Sequence, residues 1–395
     1  VSEDRYRVLF EHSSDGHIVI QDGGIIDCNQ AALDLIGCQT RAEMLDLHPS
    51  VLSPELQPDG TPSSEVAARV DALAYEKGFH RFEFMHQTVD GQPLPVEVTL
   101  NSVQLESGPA LVAVWHDLRE IKRREREQKR LADALQEANA RMTRDLEAAA
   151  AVQSALLPHV LPDVEGLGIE WAFQPCDELA GDILDVFLLD PRHLAFYVLD
   201  VSGHGVASSL LSVTASHFLS PGEQGSFFRG GGTRGARRLA SPMEIVERLN
   251  EQVKPRGGPV QFLTLFCGIL DLDTRKLRFT CAAHPGAMRL SPSGDVQLLE
   301  HPGLPLGIMA DVQYEEESIT LEAGDRLLVF SDGIPEARNE AGEQFGLERL
   351  RAAVQSTRDR TLRDEVDAVV RDVRAWCAPH EPQDDISLLA LELRP

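Results

Sequence analysis

The stretch LDVSGHGVAS, residues 199–208, decides how the chain is read. It carries a run of apolar strand-formers, Leu194 to Leu199, onto a carboxylate, Asp200, and then breaks into a Ser-Gly-His-Gly turn. Such a run, rich in β-branched and aromatic side chains and poor in alternation, marks a buried strand. A carboxylate at its tip costs energy unless something pairs it. Just upstream, DILDVFLLD (182–190) and HLAFYVLD (193–200) are separated only by Pro191-Arg192, which reads as a β-hairpin turn. Antiparallel pairing about that turn puts Asp182 and Asp200 together at the open end. Further on, DRLLVFSDG (325–333) ends a strand at Asp332, and DDISLLALEL (384–393) begins one just after Asp384 and Asp385. Antiparallel neighbours would set that end beside that beginning, so four strand termini offer aspartates to one rim.

Clustered carboxylates repel one another, so they share protons or bind cations. Oxygen ligands without accompanying Cys or His pairs point to Mg²⁺ or Mn²⁺ rather than zinc or copper. Gly203 and Gly205 let the backbone fold back, so that a main-chain carbonyl can serve as a ligand. Any one of these aspartates is an ordinary turn or cap residue; Asp182, Asp200, Asp332 and Asp384 together make a metal site. Ser202 and His204 share one tight turn and lack a G-x-S-x-G elbow, so a loop-shaping hydrogen bond is expected of them rather than nucleophilic catalysis. His284, in CAAHPGAM (281–288), ends another expected strand, and both a rim role and a loop-anchor role stay open for it.

Composition bounds the rest. A chain of 395 residues suggests two or three domains, and 43% hydrophobic residues are enough to build proper cores. A formal net charge of −26 argues against nonspecific binding to nucleic acid or to an anionic membrane surface. The six cysteines, 28, 38, 176, 267, 281 and 377, form no C-x-x-C pair, which suits a reducing compartment, and the cytoplasm is expected. No stretch approaches the roughly 20 apolar residues of a membrane span. The first residues, Val1 to Arg7, are charged where a signal peptide is apolar, and the lack of an initiator Met fits a trimmed chain.

Three zones follow one another. Residues 1–117 mix short β-like runs, GHIVIQDGGIIDCN (16–29) and PLPVEVTLNSVQL (93–105), with a helical middle, as in a small α/β sensor domain. Residues 118–157 contain neither Pro nor Gly, and Leu131, Leu135, Ala138, Met142, Leu146, Ala149, Val152 and Leu156 recur at steps of three or four. This is a long helix with one apolar seam in a polar exterior, as a two-chain coiled coil requires, ended by Pro158 and Pro162. Residues 158–395 alternate strands and helices around the four aspartates. Within them the Gly-rich basic segment 220–242 reads as a mobile loop, able to help dock an acidic partner or simply solvated.

With these residues in hand, the third zone resembles the PPM (type 2C) metal-dependent serine/threonine protein phosphatases, in their bacterial RsbU/SpoIIE-like branch. LAGDILDVFLLD, LDVSGHGVASSLL, FLTLFCGILDLDTRKLRFTCAAHPGAMRL, GLPLGI, LEAGDRLLVFSDGIPEARNEAGEQFG and QDDISLLALEL are similar to that branch's blocks in their usual order, over about 155–393. The first zone resembles a PAS domain through YRVLFEHSSDGHIVIQDGGIIDCNQAALDLIG, LSPELQPDG, HRFEFMHQTVDGQPLPVEVTLNSV and VAVWHDLREIKRRERE.

The resemblance implies a multidomain α/β chain: a PAS fold of antiparallel sheet and helices, a coiled-coil linker, and a phosphatase α-β-β-α sandwich with two Mn²⁺ or Mg²⁺ ions at its rim. By position, Asp200 bridges both ions, Val201 offers its carbonyl, Asp332 and Asp384 complete one shell, and Asp182 serves the second ion directly or through water. Asp185 and Asp385 stand near the site. AAAAVQSALLPHVLP (148–162) is similar to the branch's helical entry, through which regulatory motion passes. Ala180 stands where Gly or Ser is commoner, a change that removes no ligand, and CAAHPG replaces the usual Ala-Gly-His-Asn. A divalent pair can acidify and orient a water for attack on phosphorus and brings positive potential to an acidic chain.

The implied substrate is a phosphoserine or phosphothreonine on a STAS-domain anti-anti-sigma protein in a partner-switching stress or sigma-factor pathway. The expected assembly is a homodimer through PAS and linker. The rival is a non-catalytic scaffold that binds phosphorylated partners. A sensor kinase is disfavoured, because 118–157 holds no His and no Gly-rich ATP box follows. No PAS ligand is readable: Cys28 and Cys38 lie outside any flavin-attachment phrase, and no His stands out as a haem ligand.

Overall fold

The computed structural model describes residues 2–45, 48–203, 205–221, 226–228, 238–253, 261–300 and 303–394. The chain divides into two compact units, Val1–Asn139 and Ala140–Pro395.

The first unit follows its turn chemistry. Helix α1 (Ser2–Glu11) precedes strands β1 (Gly16–Gln21) and β2 (Gly24–Cys28). Asp22 and Gly23 both take positive φ, +47° and +82°, as a two-residue hairpin turn between twisted strands demands. Helix α2 (Gln30–Ile36) starts at Asn29, whose side chain accepts the Ala32 N–H, and stops at left-handed Gly37. Helix α3 (Ser63–Lys77) leads into β3 (Phe79–Gln87), β4 (Pro93–Leu105) and β5 (Gly108–Asp117). The five strands form one antiparallel sheet, order β2-β1-β5-β4-β3, with Ile18, Phe84, Val98, Leu111 and Trp115 in the core beneath the helices.

Helix α4 (Arg119–Ser154) occupies the Pro- and Gly-free zone. It ends four residues before Pro158, because the last turn tightens: Leu156 N–H bonds to Gln153 O at 2.9 Å and Leu157 N–H to Ser154 O at 3.2 Å. Along its seam Leu131, Leu135, Met142 and Val152 remain 62–65% exposed, a surface that a lone helix in water leaves uncovered at a cost.

The second unit is two five-stranded antiparallel sheets. One holds β7 (Ile183–Asp190), β8 (His193–Val201), β9 (Leu263–Asp271), β10 (Lys276–Ala282) and β13 (Glu317–Thr320), in the order β13-β10-β9-β8-β7. The other holds β6 (Leu167–Gln174), β11 (Ala287–Leu290), β12 (Val296–Leu299), β14 (Arg326–Phe330) and β15 (Ile386–Leu393), in the order β12-β11-β14-β15-β6. β8 and β9 are buried along nearly their whole length, which explains their unbroken apolar runs. Helices α5 (Val206–Leu219) and α6 (Pro242–Gln252) contact the first sheet, and the pair α7 (Gly346–Thr357) and α8 (Leu362–Cys377) packs with the second. α6 opens with a capping box, Ser241 with Glu244, and α8 with Thr361 accepting the Asp364 N–H, so each helix starts where its cap is written.

Candidate active site

The open end of one hairpin meets the end of an antiparallel pair in the other sheet. β7 and β8 pair with Ile183 opposite Leu199, which leaves Asp182 and Asp200 together beyond the last pair. In the other sheet β14 and β15 pair with Phe330 opposite Leu388, and Ser331 N–H to Ser387 O at 3.0 Å carries the ladder on towards Asp332, Asp384 and Asp385.

Asp385 ties the two ends together. Its carboxylate is buried and accepts three backbone N–H groups, Cys176 at 2.8 Å, Gly181 at 2.7 Å and Asp182 at 3.3 Å. Both oxygens are therefore committed to holding the 176–182 loop against the start of β15. Asp182 is 2% exposed, and its Oδ2 has no hydrogen-bond partner among the described residues. Thr264, opposite Asp200 on β9, donates from Oγ1 to Asp200 Oδ2 at 3.4 Å.

The electrostatics follow from packing acids together with little water. Burial, then Asp200 and Asp385, holds the Asp182 carboxyl well above the usual carboxylate range, against the nearby hydroxyls of Ser387 and Ser331. Asp200 is pushed up to about 7 by burial and then by Asp332 and Asp384. Asp332 rises to about 6 through burial, then Asp384 and Glu336. The neighbouring charges that raise these three are all carboxylates.

Backbone geometry supplies the rest. A Cβ on Gly181 would come 2.8 Å from Val201 O and 3.1 Å from Gly203 O, so only glycine lets this loop lie against the Val201 carbonyl. Gly203 and Gly205 take φ of +83° and +89° in the turn that follows. Ser202 is held away from nucleophilic duty: its Oγ accepts the Phe262 N–H at 3.0 Å. His204 lies outside the described residues, as do 222–225 and 229–237 of the basic segment.

Other expected residues sort themselves out. Asp185 sits on β7, three residues beyond Asp182 and opposite Tyr197, raised to about 6 by burial, and its Oδ1 accepts the Val186 N–H at 2.8 Å. His284 is buried and pulled down to about 3, so its ring is neutral; Nδ1 accepts the Gly286 N–H at 3.4 Å, which makes it a loop anchor. Beside it Ala283 holds φ +52°, the conformation that the branch's usual Gly suits better. Cys176 Sγ lies with carboxylate oxygens of Asp384 and Asp385 within 4.8 Å of one another. That trio is a poor cation site, because Asp385 is spent on backbone and burial with Asp385 pushes the Cys176 thiol up to about 12.

One residue had no signal in hydrophobic periodicity. Gln153, buried at the end of α4, grips Ala180 from both sides: Nε2 donates to Ala180 O at 2.7 Å and Oε1 accepts Ala180 N–H at 3.1 Å. Nε2 also reaches Ser212 Oγ on α5 at 3.3 Å. The linker helix thus holds the residue two before Asp182. A lone Gln in an apolar helix end, AAAAVQSALL, was the available clue.

Residues 190–394 match the model of the Stage II sporulation protein E (SpoIIE) family, and residues 14–120 match that of a PAS domain. Asp200, Asp332 and Asp384 fall inside the first match, and Asp182 lies eight residues before it. Protein IcfG of Synechocystis is 28% identical over 223 residues, covering 52% of this chain and 35% of its own. Phosphoserine phosphatase RsbU of Bacillus subtilis is 29% identical over 210 residues, covering 52% of this chain and 58% of its own. The chain so spans about half the length of these relatives. Among solved structures, the SiaA-PP2C domain of Pseudomonas aeruginosa superposes with a TM-score of 0.53 at 21% identity, over 65% of this chain and 98% of that one, a likeness of fold. Matched over more than half its residues, including Asp200, Asp332 and Asp384, the chain belongs to the SpoIIE family, with a PAS domain on its N-terminal side.

Proposed function

We propose that the chain is a metal-dependent protein serine/threonine phosphatase regulated by its PAS domain. The observation that carries this reading is the rim of carboxylates contributed by two sheets, where burial and neighbouring carboxylates together raise Asp182, Asp200 and Asp332. The donor set is hard oxygen, one buried Asp182 oxygen is unpartnered among the described residues, and the Val201 carbonyl lies against the neighbouring Gly181, all of which fit Mg²⁺ or Mn²⁺. Asp182, Asp200, Asp332, Asp384 and the Val201 carbonyl would hold two ions. When bound, the ions supply Lewis acidity and an acidified water for in-line attack on phosphorus. The protein's part is to fix the carboxylates: Asp385 and Gln153 hold the loop that carries Asp182, and Thr264 orients Asp200.

The relative RsbU is named a phosphoserine phosphatase, and we carry that substrate class over: a phosphoserine or phosphothreonine on a STAS-domain anti-anti-sigma protein in the cytoplasm. Among the described residues no helix is long and apolar enough to cross a membrane. The test is phosphate release from an aryl phosphate and from a phosphoserine STAS protein, with and without Mn²⁺. Turnover of both only with metal supports the reading; tight binding of the phosphoprotein without turnover at saturating Mn²⁺ would leave the scaffold instead.

The exposed seam of α4 supports a homodimer paired through that helix, with PAS signals setting the site between two states. Charges placed at Leu135 and Leu146 together are expected to convert the dimer to a monomer by light scattering and to shift phosphatase activity at least about fivefold, a coupling of roughly 1 kcal/mol. An unchanged mass and an unchanged rate would remove this regulatory role.

The raised carboxyls also predict a pH signature. Asp182, Asp200 and Asp332 keep protons to higher pH in the metal-free fold than in the unfolded chain, so the folded state binds more protons. Their contribution to stability therefore falls as pH rises from about 4 to about 7. Mn²⁺ competes with those protons, so the rise in melting temperature on adding Mn²⁺ is expected to be several degrees larger at pH 8 than at pH 5. Equal increments by calorimetry at both pH values would contradict the cluster as the binding site.

A further inference from the structure

Two hollows of very different size lie among the described residues of the N-terminal unit. One lies inside, walled by Phe84, His86 and Trp115 among others, and encloses about 30 Å³. That is room for a water or two and for no organic ligand. His86 on its wall is filled in by its neighbours, 4.0 Å from the Trp115 ring and bonded through Nδ1 to Ser53 Oγ at 2.9 Å.

The other hollow is a cleft of about 750 Å³ where β3 and β4 meet the first two turns of α4. Its volume falls in the range of roughly 300–1,000 Å³ typical of organic-ligand sites. The floor is largely apolar, made by Pro58, Met85, Pro93 and Pro95 with Glu83 beside them, and the wall is cationic, made by Arg119, Lys122, Arg123 and Arg126. Two of those cations are neutralised: Arg119 by Asp117, Nη2 to Oδ2 at 2.7 Å, and Lys122 by Glu83 at 2.8 Å. Arg123 and Arg126 have no ion pair among the described residues, and Arg126 spends only its Nε, on the Lys122 carbonyl at 3.1 Å. Two unpaired guanidiniums over an apolar floor are a marked local reversal in a chain of net charge −26.

We infer that this cleft binds an amphipathic organic anion of the medium-chain carboxylate class, its acyl chain on the floor of Pro58, Met85, Pro93 and Pro95 and its head group on Arg123 and Arg126. Guanidinium–carboxylate hydrogen bonds supply orientation, and burial of the chain supplies most of the affinity. Because α4 forms one wall, the ligand bridges the sensor sheet and the helix, a placement suited to a signal that the interior hollow is too small to receive. Binding is read directly, so the inference stands or falls apart from the phosphatase reading.

The experiment is titration calorimetry on the full chain with decanoate and, as the uncharged match, decanol. Decanoate is expected to bind once per chain and about tenfold tighter than decanol. The Arg123→Ala/Arg126→Ala variant, altered only at exposed side chains and checked for fold by circular dichroism, is expected to lose about tenfold in decanoate affinity and little in decanol affinity. No saturable decanoate binding, equal binding of decanol, or an unchanged double variant would each overturn the inference. So would a double variant that changes mass in sedimentation without changing decanoate binding, which would give the cleft to a second copy of the chain.

Discussion

Asp200→Asn is expected to lower phosphate release at least about 10³-fold while making the metal-free protein more stable. Both halves come from the same geometry. Asp200 lies among Asp182, Asp332, Asp384 and Asp385 with its carboxyl raised to about 7, its charge opposed by burial and by Asp332, Asp384 and Asp385 and eased by a hydrogen bond with Asp182. An amide of the same shape removes that repulsion, and Thr264 Oγ1 keeps an acceptor. The metal-free melting temperature should therefore rise by a few degrees, since about 1 kcal/mol moves a domain of this size by roughly 2–4 °C. Turnover should fall because Lewis-acid stabilisation of the transferring phosphoryl group is worth several kcal/mol, and about 4 kcal/mol is a factor of 10³. The increment in melting temperature that Mn²⁺ gives the wild type should vanish with it. Calorimetry and phosphate release on one preparation check both; a variant that loses activity and also melts lower without metal would mean that Asp200 holds the fold rather than the ions.

The strand ends were legible because their residues obey two strong constraints at once. A run such as Leu194–Leu199 is buried on both faces, and a carboxylate at its end has to be spent on something, so the hairpin register and the meeting of Asp182 with Asp200 follow from composition and turn chemistry. Asp332 and Asp384 follow in the same way from β14 and β15. What sequence could not separate was Asp384 from Asp385, adjacent and identical. The structure distinguishes them by hydrogen bonding: Asp385 faces inward onto three N–H groups, while Asp384 is exposed on the site side and takes the Asp385 N–H at 2.9 Å. His284 was equally undecidable, since an imidazole at a strand end looks alike whether it meets solvent or lies buried beside Gly286. Backbone partners at long range leave no periodic trace, which is also why Gln153 went unread as a contact.

Gln153→Leu is expected to weaken Mn²⁺ activation about 10–100-fold, the usual cost of removing a group that orients a metal ligand. Leucine fills the same space, so packing changes little, but it strands the Ala180 N–H and C=O in a buried position. Leaving such groups unsatisfied costs about 1–3 kcal/mol each, and the loop has a cheaper option, which is to pull away from Gln153's place and carry Asp182 with it. The change should therefore appear as a higher Mn²⁺ requirement, with much of the rate recovered at high Mn²⁺, and only then as a lower kcat. Gln153→Glu separates orientation from bulk: a carboxylate still accepts the Ala180 N–H but cannot donate to the Ala180 carbonyl, so it should fall between wild type and Leu in Mn²⁺ requirement. A structural role alone would lower the melting temperature of both variants and leave the Mn²⁺ concentration for half-activation where it was. Because α4 runs unbroken from its exposed seam to Gln153, a shift in that half-activation point would also tie the proposed dimer seam to the proposed metal site.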